Sequence, residues 1–383
     1  MNYRSYLLSI PIVIFMLSAC GQDGETPTEH SSLKGTLFSF DSSDSLLNQL
    51  MKEAAEDFEG FEKEGKSSWT LALPYFRPVR DHMPEPATSA SVTYWWSYFI
   101  QTADKATLSS KIDWEQMEEV YRVFPEEKDV KEQFAFLIDL QHLSYLAYQA
   151  GQDSLAIRLI NDFTQFVTDS LPVSFNEETR SYDQGRDVDV MALVLDIVPD
   201  EFQEATFQGI MSDVLTSAEG YFNYHPVAKD YLLSVFDKFQ QPFMASRMLS
   251  DIGKSRAARF VAAHLIGISP SLNAPGFADP LVRPRFIDGI SFMEGSYMTI
   301  HGAIGVRLEH GEEDVIQIRV PKACKLVLPV IDPLRVEITA NEQVIWGNGV
   351  PRPTPEGSKF VDINKDGVYI ALNRGKYTFT IKE

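Results

Sequence analysis

The chain has 383 residues, 44% hydrophobic and 12% aromatic, which is ample for two or three domains with packed cores. A formal net charge of −20 and the absence of any basic run interleaved with aromatics exclude a phosphate-tracking protein, so nucleic acid is not expected as a partner. No GxGxxG, HExxH or GxSxG segment occurs, so dinucleotide, zincin and serine-hydrolase chemistry have no support, and neither a metal nor a cofactor is expected.

The N-terminus carries an export signal. Arg4 precedes an apolar stretch from Leu7 to Leu17, interrupted by Ser9 and Pro11, and the segment closes Leu17-Ser18-Ala19-Cys20. It is too short to span a bilayer stably and ends in small residues, which predicts a signal peptide over 1–19. The L-S-A-C ending resembles a bacterial lipobox. That resemblance implies a diacylated Cys20 as the mature N-terminus, a genuine chain start, and a protein anchored in the bacterial cell envelope. Gly21 in place of Asp favours the outer membrane or cell surface; an ordinary secretion signal with a chance cysteine is the alternative. Residues 20–35 are polar and apolar-poor, as a flexible tether would be. With Cys20 lipidated, Cys324 has no disulfide partner and is expected in the core.

Residues 36–58 predict a short strand (Leu37, Phe38, Phe40), an Asp/Ser cap, and a helix with Leu46, Leu47, Leu50, Met51, Ala54, Ala55 and Phe58 on one side. The stretch 66–100 is aromatic-rich and encloses a loop containing Arg80, Asp81 and Glu85. Aromatic faces stack on the C–H faces of sugars, so Trp95 and Trp96 beside carboxylates and an arginine suit a carbohydrate cleft; as openers of a helix they would simply pack. Asp113 and Trp114 follow, then an exposed acidic stretch through Glu132. A helix over 133–150, closed by Gly151, and a second one capped by Asp153 predict an αα-hairpin. Next, a polar loop leads into a helix over 187–198, with Tyr182, Asp183, Gln184, Arg186 and Asp187 at its N-terminal mouth. At least one of Asp183 and Asp187 is expected to be a plain N-cap. Residues 219–250 predict another hairpin that starts at Tyr221 and Phe222, with His225 extended before Pro226. From 281 onward short alternating segments (303–308, 315–320, 325–330, 335–339, 343–346, 368–372, 376–381) separated by Asn-Gly, Asp-Gly and Arg-Gly turns predict an antiparallel β-sandwich.

Between helices and strands lies a Pro/Gly-punctuated seam from His264 to Gly311. Its Ile266, Gly267, Ile268, Pro270, Pro275, Gly276, Phe277, Arg283, Pro284, Glu294, Gly295, His301, Gly302, Ile304 and Val306 occur in an order that resembles bacterial α-L-rhamnosidases. There an (α/α) six-hairpin barrel hands over to a C-terminal β-sandwich. The resemblance implies a mainly α plus β chain, with a barrel domain over 36–266 and a sandwich over 267–383. The helical region is short for twelve barrel helices, so a trimmed barrel is expected, and a partner chain could complete it.

The family chemistry would be inverting hydrolysis by an acid and a base that are roughly 6.5–9.5 Å apart. Where the family carries its acid, this chain has Arg80 followed by Asp81, and Glu85, but not the Asp-Cys-Pro and Gly-Asp parts of the signature. The passage that brings the family's likely base is absent before Lys254. The resemblance therefore implies Glu85, Asp81 and Asp113 as candidate catalytic acids, with Arg80, Trp95, Trp96, Trp114, Asp183, Arg186, Tyr221 and His225 as candidate carbohydrate-binding residues. Three functions stay open: a glycoside hydrolase, a degenerate relative that holds glycan or a partner protein, and a polysaccharide lyase using His225 with Tyr221 or Tyr224.

Overall fold

The computed structural model describes residues 38–64, 89–171, 173–182, 184–216, 224–239, 241, 257–258, 260–270, 274–330, 332–364 and 367–382. In chain order the helical part contains β1 (Phe38–Ser42), α1 (Ser45–Glu64), α2 (Ser89–Thr102), α3 (Lys105–Lys111), α4 (Trp114–Tyr121), α5 (Val130–Gln149), α6 (Asp153–Gln165), α7 (Arg186–Val194), α8 (Asp200–Thr216) and α9 (Pro226–Lys238). Among the described residues twelve strands follow, so the architecture is helical hairpins and then antiparallel sheets. The chain divides into two compact units: one takes 83–99 and 104–239, the other 30–82, 100–103 and 240–383.

In the first unit, burial sorts the helices into layers. The middle of α5 is buried on nearly every side (Phe134, Leu137, Ile138, Leu140, Leu143, Leu146, Ala147), and in α7 every residue from Asp187 to Leu193 is buried. Helices without a solvent face belong inside. By contrast α6 buries one stripe (Leu155, Ala156, Leu159, Phe163) and exposes Ile157. The α5–α6 turn is a Schellman motif at the predicted glycine: Gln152 N–H donates to Ala147 O at 2.8 Å and Gly151 N–H to Tyr148 O at 3.0 Å.

The inner helices run parallel. Trp96 and Phe99 of α2 meet His142 and Tyr145 of α5, in the same order along both chains. Lys131 of α5 pairs with Asp187 of α7. At the two ends of α7, Asp187 meets His225 and Leu193 meets Lys238 of α9. Helices α6 and α8 return the chain between them, so the N-termini of α5, α7 and α9 gather at one end.

The second unit is built on two sheets. One has eight strands in the order β1-β4-β5-β6-β13-β8-β9-β10, and the other has five, β11-β12-β7-β3-β2. Here β2 is Ile268–Ser269, β3 Leu281–Val282, β4 Phe292–Thr299, β5 Gly302–Glu309, β6 Asp314–Val320 and β7 Cys324–Leu328. The rest are β8 Glu337–Ala340, β9 Gln343–Gly347, β10 Val350–Pro351, β11 Ser358–Asn364, β12 Gly367–Leu372 and β13 Gly375–Lys382. Alternate residues of β6 (Ile316, Ile318, Val320) and β13 (Tyr377, Phe379, Ile381) are buried, the period-2 pattern of a sheet with one covered face. Asn348 and Gly349 join β9 to β10 with φ of 54° and 74°, the left-handed pair of a type I′ hairpin turn. Cys324 is buried, as expected, and burial pushes its thiol up to about 12.

Strand β1 forms where the sequence places it and pairs with β4, Phe38 opposite Tyr297, as an edge of the larger sheet. The seam residues hold packing and turns. Gly267, at φ +76°, has the Arg283 carbonyl 2.1 Å from where a Cβ would stand, while Arg283 N–H donates to Gly267 O at 2.8 Å. A side chain there would break the β2–β3 approach.

Candidate functional site

Loop length separates the two ends of the inner helices. The end holding the C-terminus of α5 is closed by tight connections at 103–104, 150–152 and 195–199, whereas the opposite end carries the longer described segments 122–129 and 173–182. Long connections on a rigid helical scaffold are where binding and catalytic groups concentrate. The N-terminal end of α5, α7 and α9 is therefore the candidate site.

Asp187 is its centre. This carboxylate is 3% exposed, yet its Oδ2 accepts from Lys131 Nζ at 2.9 Å and from His225 N–H at 3.1 Å, and its Oδ1 accepts from Val188 N–H at 3.1 Å. One side chain of α7 thus ties the first turn of α5 to the start of α9. Two residues on, Asp189 is fully buried and accepts from Tyr182 N–H at 3.0 Å, Ser181 Oγ–H at 2.8 Å and Arg186 Nη1–H at 2.9 Å. Burial pushes the Asp189 carboxyl up, while the Tyr182 N–H, Arg186 and Ser181 pull it down. The Arg186 guanidinium lies over Gly209 of α8, where a Cβ would come within 2.7 Å of Nη1. A glycine inside a helix is unfavourable by about 1 kcal/mol; here it leaves room for that guanidinium.

The neighbouring segments are fixed from within. Gln133 Nε2 donates to the carbonyls of Pro125, Glu126 and Lys128 at 3.2, 3.3 and 3.1 Å, and Phe124 packs on Phe136 and Phe166. His225 caps α9, its Nδ1 accepting from Val227 N–H at 3.3 Å. The Tyr224 hydroxyl donates to Asp213 Oδ2 at 3.0 Å, and burial with that carboxylate pushes the phenol up. That is the wrong direction for the phenolate a lyase base requires.

The sequence-derived candidates scatter. Arg186 and His225 come together around Asp187. Asp113 does not join them: it is exposed and caps α4, its carboxylate accepting from Gln116 N–H at 3.0 Å. Helix α4 runs antiparallel to α5, since Tyr121 near its end meets Phe136 and Asp139 while Ser109, just before it, donates to Ala150 O. Asp113 and Trp114 therefore sit at the tight-loop end, about 30 Å away along the 20-residue α5. The short acid at this helix start serves that helix. Trp95, 4% exposed and edge-on to Tyr98, is core and has no face to offer a sugar. One face of Trp96 lies on the His142 imidazole, centroids 4.2 Å apart, with Tyr145 edge-on at 5.0 Å. His142 is twelve residues along α5 from Val130, about 18 Å below the candidate site. Cys20, Arg80, Asp81, Glu85, Asp183 and Tyr221 lie outside the described residues.

Lys131, Gln133, Asp189 and Gly209 were not anticipated. The helix starting three residues earlier than its apolar pattern, with Asp129 as cap accepting from Glu132 N–H at 2.9 Å, was the available signal for Lys131. Among the described residues no group of three His, Cys, Asp or Glu side chains could hold a metal ion, and no helix is long and apolar enough to cross a membrane.

Residues 267–343 match the family model of the bacterial α-L-rhamnosidase C-terminal domain. No curated protein matches the chain in sequence. Among solved structures, Streptomyces avermitilis α-L-rhamnosidase complexed with L-rhamnose is similar at a TM-score of 0.70 and 13% identity, over 92% of this chain and 43% of that one. The Dictyoglomus thermophilum α-L-rhamnosidase gives 0.64 and 15%, over 95% and 53%. That of Aspergillus terreus gives 0.56 and 11%, over 92% and 50%. At these identities the likeness is one of fold, and the chain spans about half the length of the enzymes it matches.

Proposed function

We propose that this chain, rhamnosidase-like in fold and carrying a bacterial α-L-rhamnosidase C-terminal domain, is a glycoside hydrolase that takes its glycan at the N-terminal end of α5, α7 and α9. The observation that carries the reading is the convergence of three inner-helix N-termini on Asp187 at the end with long connections. Inverting hydrolysis, which needs an acid and a base about 6.5–9.5 Å apart with room for water, then draws that pair from Asp81, Glu85 and Asp183. The protein works from the cell envelope, held by a lipid on Cys20.

One observation favours a second reading, a glycan-holding relative without turnover. The two buried carboxylates at this end, Asp187 and Asp189, are fully engaged by hydrogen bonds, so neither reaches a substrate without breaking the tie. Hydrolysis of aryl α-L-rhamnosides decides between them. Turnover that falls by 10²-fold or more in Glu85→Gln, Asp81→Asn or Asp183→Asn, against wild type, establishes the hydrolase. Calorimetric binding of rhamnoside oligosaccharides without any turnover establishes the second reading instead.

A further inference from the structure

The solvent face of the larger sheet is polarised along its strands. Register places Ser39, Ser296, Gly305, Arg319 and Lys376 in one row across β1, β4, β5, β6 and β13. Arg319 and Lys376 are exposed and directly opposite each other, a like-charge cross-strand pair that weakens a sheet left to itself. Two more cations stand just past the same strand ends. Lys322 follows the close of β6 at Val320, and Arg374 precedes the start of β13 at Gly375, which is opposite Val320. None of the four enters an ion pair among the described residues, although exposed Glu342 and Glu356 stand beside β13, next to Asn341 and Gly357, which bond Thr378 and Tyr377. At the far end of the sheet the acids are answered: Glu309 by Arg307 and Glu313 by Lys382, each at 2.7 Å.

The basic end is also where the chain enters the sheet. Phe38 opens β1 one residue beyond that row, on the side of Val320 and Gly375. As a polar tether, the eighteen residues from Cys20 to Leu37 extend about 25 Å. Crossing the sheet from β1 to β13 takes only about 19 Å, so these cations lie within the tether's reach of a bilayer that holds Cys20. Exposed Met298, two residues after Ser296 on the same face, adds an apolar contact at this end. In a chain of net charge −20, cations gathered at one end without carboxylate partners complement anionic headgroups, which attract each Lys or Arg that comes within a Debye length. Resting on the lipid-anchor reading above, we infer that Arg319, Lys322, Arg374 and Lys376 form a docking surface for the anionic bilayer that carries the anchor. The acidic end of the sheet is then turned away from it.

The test uses the full chain, lipid on Cys20 included, with vesicles of phosphatidylcholine alone or mixed with phosphatidylglycerol in equal amounts. Flotation with both is expected. Hydrogen exchange should slow over 299–302, 319–323 and 373–376 on the phosphatidylglycerol vesicles only, with the far turn 310–314 unchanged. The slowing should vanish in about 1 M salt, where the Debye length falls to about 3 Å. Arg319→Gln combined with Lys376→Gln is expected to weaken docking about fivefold for each cation removed, at a melting temperature no lower than wild type because the like-charge pair is gone. Equal exchange on the two vesicles, slowing at both ends alike, or a double variant that behaves as wild type overturns the inference alone. So does slowing by an acidic polysaccharide in solution with none on phosphatidylglycerol vesicles, which gives the face to a glycan instead. A full chain that floats with neither vesicle overturns the lipid-anchor reading, and the inference with it.

Discussion

Two acids at opposite ends of the inner helices do different work. At the tight-loop end Asp113 accepts from the N–H three residues on, at 3.0 Å, and so serves the helix it opens. At the other end Asp187 serves three helices at once, taking Lys131 from α5 and His225 N–H from α9. A local cap satisfies orphan donors of one helix. A shared carboxylate fixes the spacing of several helix ends, which is what a binding site on a helical scaffold requires.

The contrast is broken most severely at its centre. Asp187→Ala leaves Lys131 and the His225 amide without their acceptor, and a loss of about 3 kcal/mol is expected by urea unfolding, the upper range for losing a hydrogen bond to a charged group. Asp113→Ala should cost only about 1 kcal/mol, the value of an N-cap, and leave glycan affinity at the wild-type level. Equal losses for the two would erase the distinction.

Between these lies a pH effect at the stacked aromatics. Burial lowers the His142 imidazole to about 4, so the folded protein keeps it neutral while the unfolded chain protonates near the ordinary 6.5. The unfolded state therefore binds more protons between those values. This contribution is fully present above 6.5 and is lost as pH falls towards 4, by about 3 kcal/mol in all. Unfolding free energies at pH 7 and 4.5 should differ less for His142→Leu than for wild type; an unchanged slope would show that His142 is protonated in the fold. The smallest effect is expected for Gly209→Ala. Helix propensity gains about 1 kcal/mol while the added methyl displaces the Arg186 guanidinium, so the net change should stay within about 1 kcal/mol. The altered Arg186–Asp189 contact should be visible in a crystal structure of the variant.

Features encoded by neighbouring residues were legible. Gly151 announced the α5–α6 turn, Asn348-Gly349 the β9–β10 hairpin, and alternation announced β6 and β13. Pairings between distant segments were not. Phe38 meets Tyr297 across the whole helical region, and nothing near β1 says so. Strand β11 escaped because, as a sheet edge with a bulge between Phe360 and Asp362, it lacks a buried alternating face. At the site, Arg186 and His225 stood out by type, but the sequence could not tell at which helix end Asp113 would emerge, since that depends on the direction of α4 against α5. Lys131 looked like one charge in a solvated acidic run until Asp187, far along the chain, supplied its reason to be there.

The most direct test of the glycan site is hydrogen exchange of the full chain with and without a neutral α-L-rhamnoside oligosaccharide. Added protection is expected in the amides of 130–133, 185–189 and 224–228, with 105–116 and 149–153 unchanged. Protection confined to the tight-loop end, or none at saturating glycan, would contradict the placement of the site around Asp187.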